Sequence, residues 1–220
     1  HTTASELVQM ALPSDRPTVP GARLFARTDP ARTAGGDLFT FSLDERTLHF
    51  VVGDVSGKGL PAAVMMTSVI NAANRSFTQY GSDGPIAVLD SIDATTHTGL
   101  SDANMFVTLI AGQFDIDGRV LSLANAGHSP VHFVRNGLIE TVAASRPPIG
   151  VLPGMTCEQL DISIEASDRF IAASDGFPEQ MDDSGSMYGE ERFAAALAPP
   201  AADINEFGDL DIEGDHTYLA

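Results

Sequence analysis

The run Gly53-Asp54-Val55-Ser56-Gly57-Lys58-Gly59-Leu60-Pro61-Ala62-Ala63 constrains this chain more than any other stretch, because it places a carboxylate, a glycine turn and a helix start side by side. Just before it, residues 47–52 (Thr-Leu-His-Phe-Val-Val) have the β-branched and aromatic character of a strand. Just after it, Ala62, Ala63, Met66, Val69, Ile70 and Ala73 recur at helical spacing, which predicts a helix over 60–80. Pro61 suits the first helical turn, where a missing N–H costs nothing. A Gly-Lys pair opening a helix invites comparison with a nucleotide-binding P-loop. The spacing excludes it: three residues separate Gly53 from Gly57 where four are needed, and Gly59 stands where a Ser or Thr should follow the lysine.

A glycine turn between a strand and a helix is common in itself. What singles this one out is that its acid has counterparts. Gly35-Gly36-Asp37 opens an alternating strand with a carboxylate, and Asp168-Arg-Phe-Ile-Ala-Ala-Ser-Asp175-Gly176 closes another with one. Asp37, Asp54 and Asp175 thus share one pattern, a strand terminus beside a glycine, where a short carboxylate can reach a cleft. Three acids converging without a basic partner repel one another unless cations lie between them. Oxygen donors suit a hard ion such as Mg²⁺ or Mn²⁺, and the sequence has no Cys/His cluster to suggest zinc.

Length and composition set the frame. A chain of 220 residues fits one domain with a substantial core, and 43% hydrophobic with 19% charged residues is a globular balance. Cys157 is the single cysteine, so no intramolecular disulfide can form; with no signal peptide and no apolar run long enough for a membrane span, a cytoplasmic location is expected. The net charge of -18 argues against a nucleic-acid partner, whose phosphates it would repel.

Periodicity then organises the rest. The opening dozen residues suit a helix, with Ala4, Leu7, Val8 and Ala11 forming an apolar stripe, and 22–27 suits a first strand. A second long helix is expected over 86–98, after the Gly81-Ser-Asp-Gly-Pro85 break. From 105 the period becomes that of strands: 105–114 and 119–125 around an Asp115-Ile-Asp-Gly118 turn, then 131–134, 138–142, 159–164 and 169–174. A short helix over 192–197 and a last strand over 216–219 complete the pattern. Many antiparallel strands with a helix pair inserted predict an α+β fold of two packed sheets flanked by helices.

Taken in order, Gly35-Gly36-Asp37, the 53–63 run, Ala124-Asn-Ala-Gly-His-Ser-Pro130, Ser174-Asp175-Gly176 and Tyr188-Gly-Glu-Glu-Arg-Phe193 resemble the successive motifs of bacterial PPM-type serine phosphatases, of the stage II sporulation protein E and RsbU-like subfamily. The resemblance covers essentially the whole chain. It implies an α-β-β-α sandwich with two Mn²⁺ or Mg²⁺ ions at one edge. Asp54 would bridge the ions, with Asp37 and the Val55 carbonyl on one and Asp175 on the other. The implied activity is hydrolysis of phosphoserine or phosphothreonine by metal-activated water. A phosphorylated anti-sigma-factor antagonist is the implied partner. Residues 1–13 would be the end of a regulatory linker helix, continuing upstream toward a sensor or receiver domain and pairing in a homodimer, and 14–220 the phosphatase domain.

The fit is weakest at the C-terminus. The family pattern Asp-Asp-x-Thr is here Gly214-Asp215-His216-Thr217, so Gly214 stands at an acidic position that Asp215 or Asp211 would have to cover. A site short of one carboxylate binds its second ion weakly, which leaves open a catalytically weak or inactive domain that binds a signalling partner. Other residues carry two readings. Lys58 either steers phosphate or closes the turn, and His128 is either near the metals or a strand-end histidine held by hydrogen bonds. Cys157 reads as a buried apolar group. Ser56 occupies the place where eukaryotic relatives carry a histidine, so no general acid is evident. Asp182-Asp183-Ser-Gly185 reads as a turn, since it lacks calcium-loop spacing.

Overall fold

The computed structural model describes residues 4–29, 35–181, 185–197 and the backbone of 216–219. In chain order the elements are α1 (Ala4–Ala11), β1 (Ala26–Asp29), β2 (Asp37–Leu43), β3 (Thr47–Val55), α2 (Leu60–Tyr80), α3 (Pro85–Asp102), β4 (Val107–Asp115), β5 (Val120–Ala126), β6 (Val131–Arg135), β7 (Leu138–Val142), β8 (Gln159–Ser163), β9 (Arg169–Ala173), α4 (Glu190–Leu197) and β10 (His216–Leu219). They form two antiparallel five-stranded sheets, ordered β2-β3-β4-β5-β8 and β1-β10-β9-β6-β7.

Side-chain alternation builds four layers from these sheets. Along β3, Val51 and Val55 pack with Met66, Val69 and Ile70 of α2 and Leu89 and Ile92 of α3, while Phe50 and Val52 face the second sheet. In β4, Leu109 and Ala111 take the helix side and Ile110 the inter-sheet side. The second sheet repeats the device: Ala172 of β9 points between the sheets, and Ile171 and Ala173 pack with Phe193 and Leu197 of α4. Period-two alternation over two faces is what a strand buried on both sides requires. The result is the α-β-β-α sandwich expected from the sequence. The stripe on α1 lies on the helix layer, with Val8 buried in the same cluster as α2 and α3.

Two elements depart most from the sequence expectation. The first strand lies at Ala26–Asp29, later than 22–27, because its ladder partner is the short β10 and the pairing runs from Ala26↔Leu219 to Asp29↔His216. The second long helix runs to Asp102, past 98, and so adds Leu100 to the buried stripe of Leu89, Ile92 and Thr96.

One glycine inside β4 has a packing reason. The ring of Phe50 lies over Gly112, its ladder partner, and a Cβ there would come within 2.0 Å of the ring. Gly112→Ala is expected to destabilise the domain by about 1–3 kcal/mol through overpacking, read as a lower urea midpoint at unchanged slope.

Candidate functional site

Asp37 opens β2 and Asp54 stands next to last in β3, and the ladder sets them directly opposite each other. Opposed residues of an antiparallel pair project to the same face, where like charges are destabilising. Gly36 is what lets the strand end close. A Cβ at that position would lie 1.9 Å from the Val55 carbonyl oxygen and 2.7 Å from Asp54 Oδ1, while the Val55 N–H donates to the Gly36 carbonyl at 3.0 Å. Any side chain at 36 would therefore expel either the carboxylate or the carbonyl.

The second sheet reaches the same place. Ser174, immediately after β9, donates its hydroxyl hydrogen bond to Asp37 Oδ2 at 3.0 Å, and both residues are buried. Asp175 follows and is exposed at this end of the sandwich. Negative charge gathers around it: the Glu190 carboxyl is pushed above its ordinary range, mainly by partial burial and further by Asp175 and Glu179. The β9–β10 ladder pairs Tyr218 with Ala173 and Leu219 with Ala172, which sets β10 beside the end of β9 that leads into Asp175. Asp211, Gly214 and Asp215 lie outside the described residues, as do Asp182 and Asp183 of the expected turn.

The turn after Asp54 is pinned to the start of β4. Ser56 donates its N–H to the Phe106 carbonyl at 2.9 Å, and its hydroxyl accepts from the Phe106 N–H at 2.9 Å. Gly57 and Gly59 take positive φ values of 96° and 76°, which non-glycine residues rarely adopt, and Lys58 between them is exposed. Ser56 is thus a structural hydrogen-bonding residue here.

His128 is buried beside the site. Its backbone N–H donates to Asn125 Oδ1 at 2.9 Å, and its Nδ1 lies 2.9 Å from the hydroxyl of Thr108, the ladder partner of Asp54. Burial pushes its pKa down to about 4, opposed in part by the Ala173 carbonyl, so the ring is neutral at physiological pH. Cys157 is half-buried, with Sγ 3.2 Å from the Ser145 hydroxyl.

The donors at this edge are all oxygens: the carboxylates of Asp37 and Asp54 and the Val55 carbonyl. That set fits a hard divalent cation and does not suit zinc. Among the described residues no three His, Cys, Asp or Glu side chains are drawn together closely enough to complete a metal cage by themselves. Sequence reasoning named the acids but missed Ser174 as the partner of Asp37. It also missed Arg146, which is buried and pairs with Asp90 and Asp93 of α3 at 3.1 and 2.8 Å. The available signal was Asp93 on the apolar stripe of that helix, since a carboxylate there calls for a buried cation.

The model of the family described as stage II sporulation protein E (SpoIIE) matches residues 44–209. The chain belongs to the SpoIIE family. Among curated proteins it is 27% identical over 186 residues to the phosphoserine phosphatase RsbU of Bacillus subtilis, covering 84% of this chain and 55% of that one. It therefore spans about half the length of this relative. Among solved structures, the RsbU and RsbW domains of a Mycobacterium tuberculosis protein superpose with a TM-score of 0.75 at 22% identity, covering 92% of this chain and 60% of that one. The SiaA-PP2C domain of Pseudomonas aeruginosa gives 0.73 at 21% identity, covering 89% and 84%. These structures share the fold of this SpoIIE-family chain. No helix among the described residues is long and apolar enough to cross a membrane.

Proposed function

We propose that this chain is the catalytic domain of a metal-dependent protein serine/threonine phosphatase acting on a regulatory phosphoprotein, an anti-sigma-factor antagonist by family resemblance. The observation that carries the reading is the Asp37–Asp54 pair, two carboxylates registered opposite each other beside the Val55 carbonyl. The name of the relative RsbU, a phosphoserine phosphatase, supports the same activity class. In this reading Asp37, Asp54, Asp175 and the Val55 carbonyl, with Asp215, would hold the ions. Two hard cations, when bound, lower the pKa of a shared water and neutralise phosphate oxygens. Ser174 fixes the orientation of the Asp37 carboxylate, and Ser56 fixes the turn that carries Asp54. Residues 14–220 form the phosphatase domain, and 1–13 are the end of a linker helix that passes an upstream signal to α2, with which α1 shares a core.

A second reading, a partner-binding domain without turnover, has Gly214 in its favour, since the resembled family carries an acid at that position. The rate of phosphoserine-protein hydrolysis against Mn²⁺ concentration separates the two. The wild type is expected to turn over only with metal, and Gly214→Asp to reach half-maximal rate at lower Mn²⁺ with little change at saturation. Absence of metal-dependent turnover in both proteins, at full length, would leave the binding-module reading standing.

A further inference from the structure

We infer that Phe106, Val151 and Leu152, with Leu60 at the start of α2, form the seat on which apolar residues flanking a phosphoserine dock; the inference rests on the phosphatase reading above. These four large apolar side chains are 40, 49, 50 and 55% exposed. Hydrogen bonds and close packing hold the backbones of three of them together. Val107 and Ile149 exchange both backbone hydrogen bonds at 2.9 Å, which aligns the start of β4 with the segment leading into Val151 and Leu152. Gly150 is packed so closely that a Cβ would lie 3.3 Å from Phe106 Cα and 2.9 Å from Leu100 Cβ. Phe106 is in turn bonded twice to Ser56, two residues beyond Asp54, and Gly57 lies against Met105. Leu60 follows that turn directly in the chain, and the Ser56–Phe106 bonds tie the other three residues to the candidate site.

Charge narrows the choice of occupant. The chain carries a net -18, yet among residues 55–74, 103–114 and 147–157, the segments that meet here, Lys58 is the only charged side chain. A phosphorylated segment finds one cation, Lys58, at the rim of this face, while the carboxylates that border it, Asp54 and Asp102, lie one residue outside these segments. A second copy of the chain is a poorer occupant, because each copy brings the same -18 to the contact. The fitting partner is a phosphoserine segment with aliphatic neighbours that fill the space beside Phe106 and Leu152.

The test uses the full-length protein with Mn²⁺ and three substrates: p-nitrophenyl phosphate, a phosphoserine peptide flanked by Leu and Val, and one of equal charge flanked by Ser and Gly. The wild type is expected to prefer the apolar-flanked peptide in kcat/KM by on the order of tenfold or more. Leu152→Asn and Val151→Asn, made separately and checked by thermal unfolding, are expected to bring that ratio toward one. Both add no charge, so electrostatic repulsion of the peptides does not account for the change. Hydrolysis of p-nitrophenyl phosphate without peptide preference in the wild type would overturn the docking seat while leaving the phosphatase reading intact. A preference unchanged in both folded variants, or a loss of self-association in its place, would overturn it equally. Hydrolysis of none of the three substrates would remove the phosphatase reading, and the seat with it.

Discussion

Replacing Asp54 by alanine is expected to lower Mn²⁺-dependent phosphatase turnover by about a thousandfold or more, on the order of 4 kcal/mol of barrier, while leaving the domain at least as stable as the wild type in EDTA. The activity half of this result follows from the proposed position of Asp54 between two ions, where its loss misplaces both. The stability half follows from the ladder. Asp54 is registered opposite Asp37 across β2 and β3, and like charges opposed in a ladder weaken it by on the order of 0.2–1 kcal/mol. Saturating Mn²⁺ should then raise the unfolding temperature of the wild type, which binds it in the folded state, and leave that of Asp54→Ala unmoved. A variant that melts well below the wild type in EDTA would mark Asp54 as a structural acid.

Much of this site is legible in the sequence because its parts obey local rules. Asp37 and Asp54 each sit at a strand terminus beside a glycine, and the alternation after Asp37 and the β-branched and aromatic run of 47–52 mark both strands without knowledge of their partners. The helix stripe of α2, the Asp115–Gly118 turn and the apolar character of β9 are local in the same sense. The missing parts are contacts between segments far apart in the chain. Nothing near Ser174 announces that its hydroxyl will meet Asp37, which lies in the other sheet. The first strand begins later than its sequence suggests for the same reason: its extent is set by a four-residue partner at the opposite end of the chain. The glycines at 36 and 112 look like turn or flexibility residues in sequence. Their space is in fact taken by the Val55 carbonyl and by the Phe50 ring.

The same distinction governs the second large effect, which concerns a buried charge. Arg146 lies on the segment after β7, bridged to Ala126 at the end of β5, and its buried guanidinium donates to Asp93 Oδ2 at 2.8 Å and to Asp90 Oδ1 at 3.1 Å. Asp93 is also buried, with the His97 ring 3.0 Å away, whereas Asp90 is largely exposed. Arg146→Met removes the cation and leaves the Asp93 carboxylate facing the core, which is expected to cost about 3–5 kcal/mol in denaturant unfolding. Adding Asp93→Leu should return most of that loss, because a buried ion pair replaced by apolar groups of similar volume is often neutral or better. The double variant separates two contributions of the pair. It restores stability but not the directional link between α3 and residues 145–150, the segment that carries Ile149 against Val107 and leads to Val151 and Leu152. If that link aligns the docking seat with Asp54, the double variant should unfold at nearly the wild-type denaturant midpoint and yet discriminate poorly between the two phosphoserine peptides. Wild-type discrimination in the restored variant would confine Arg146 to a stabilising role.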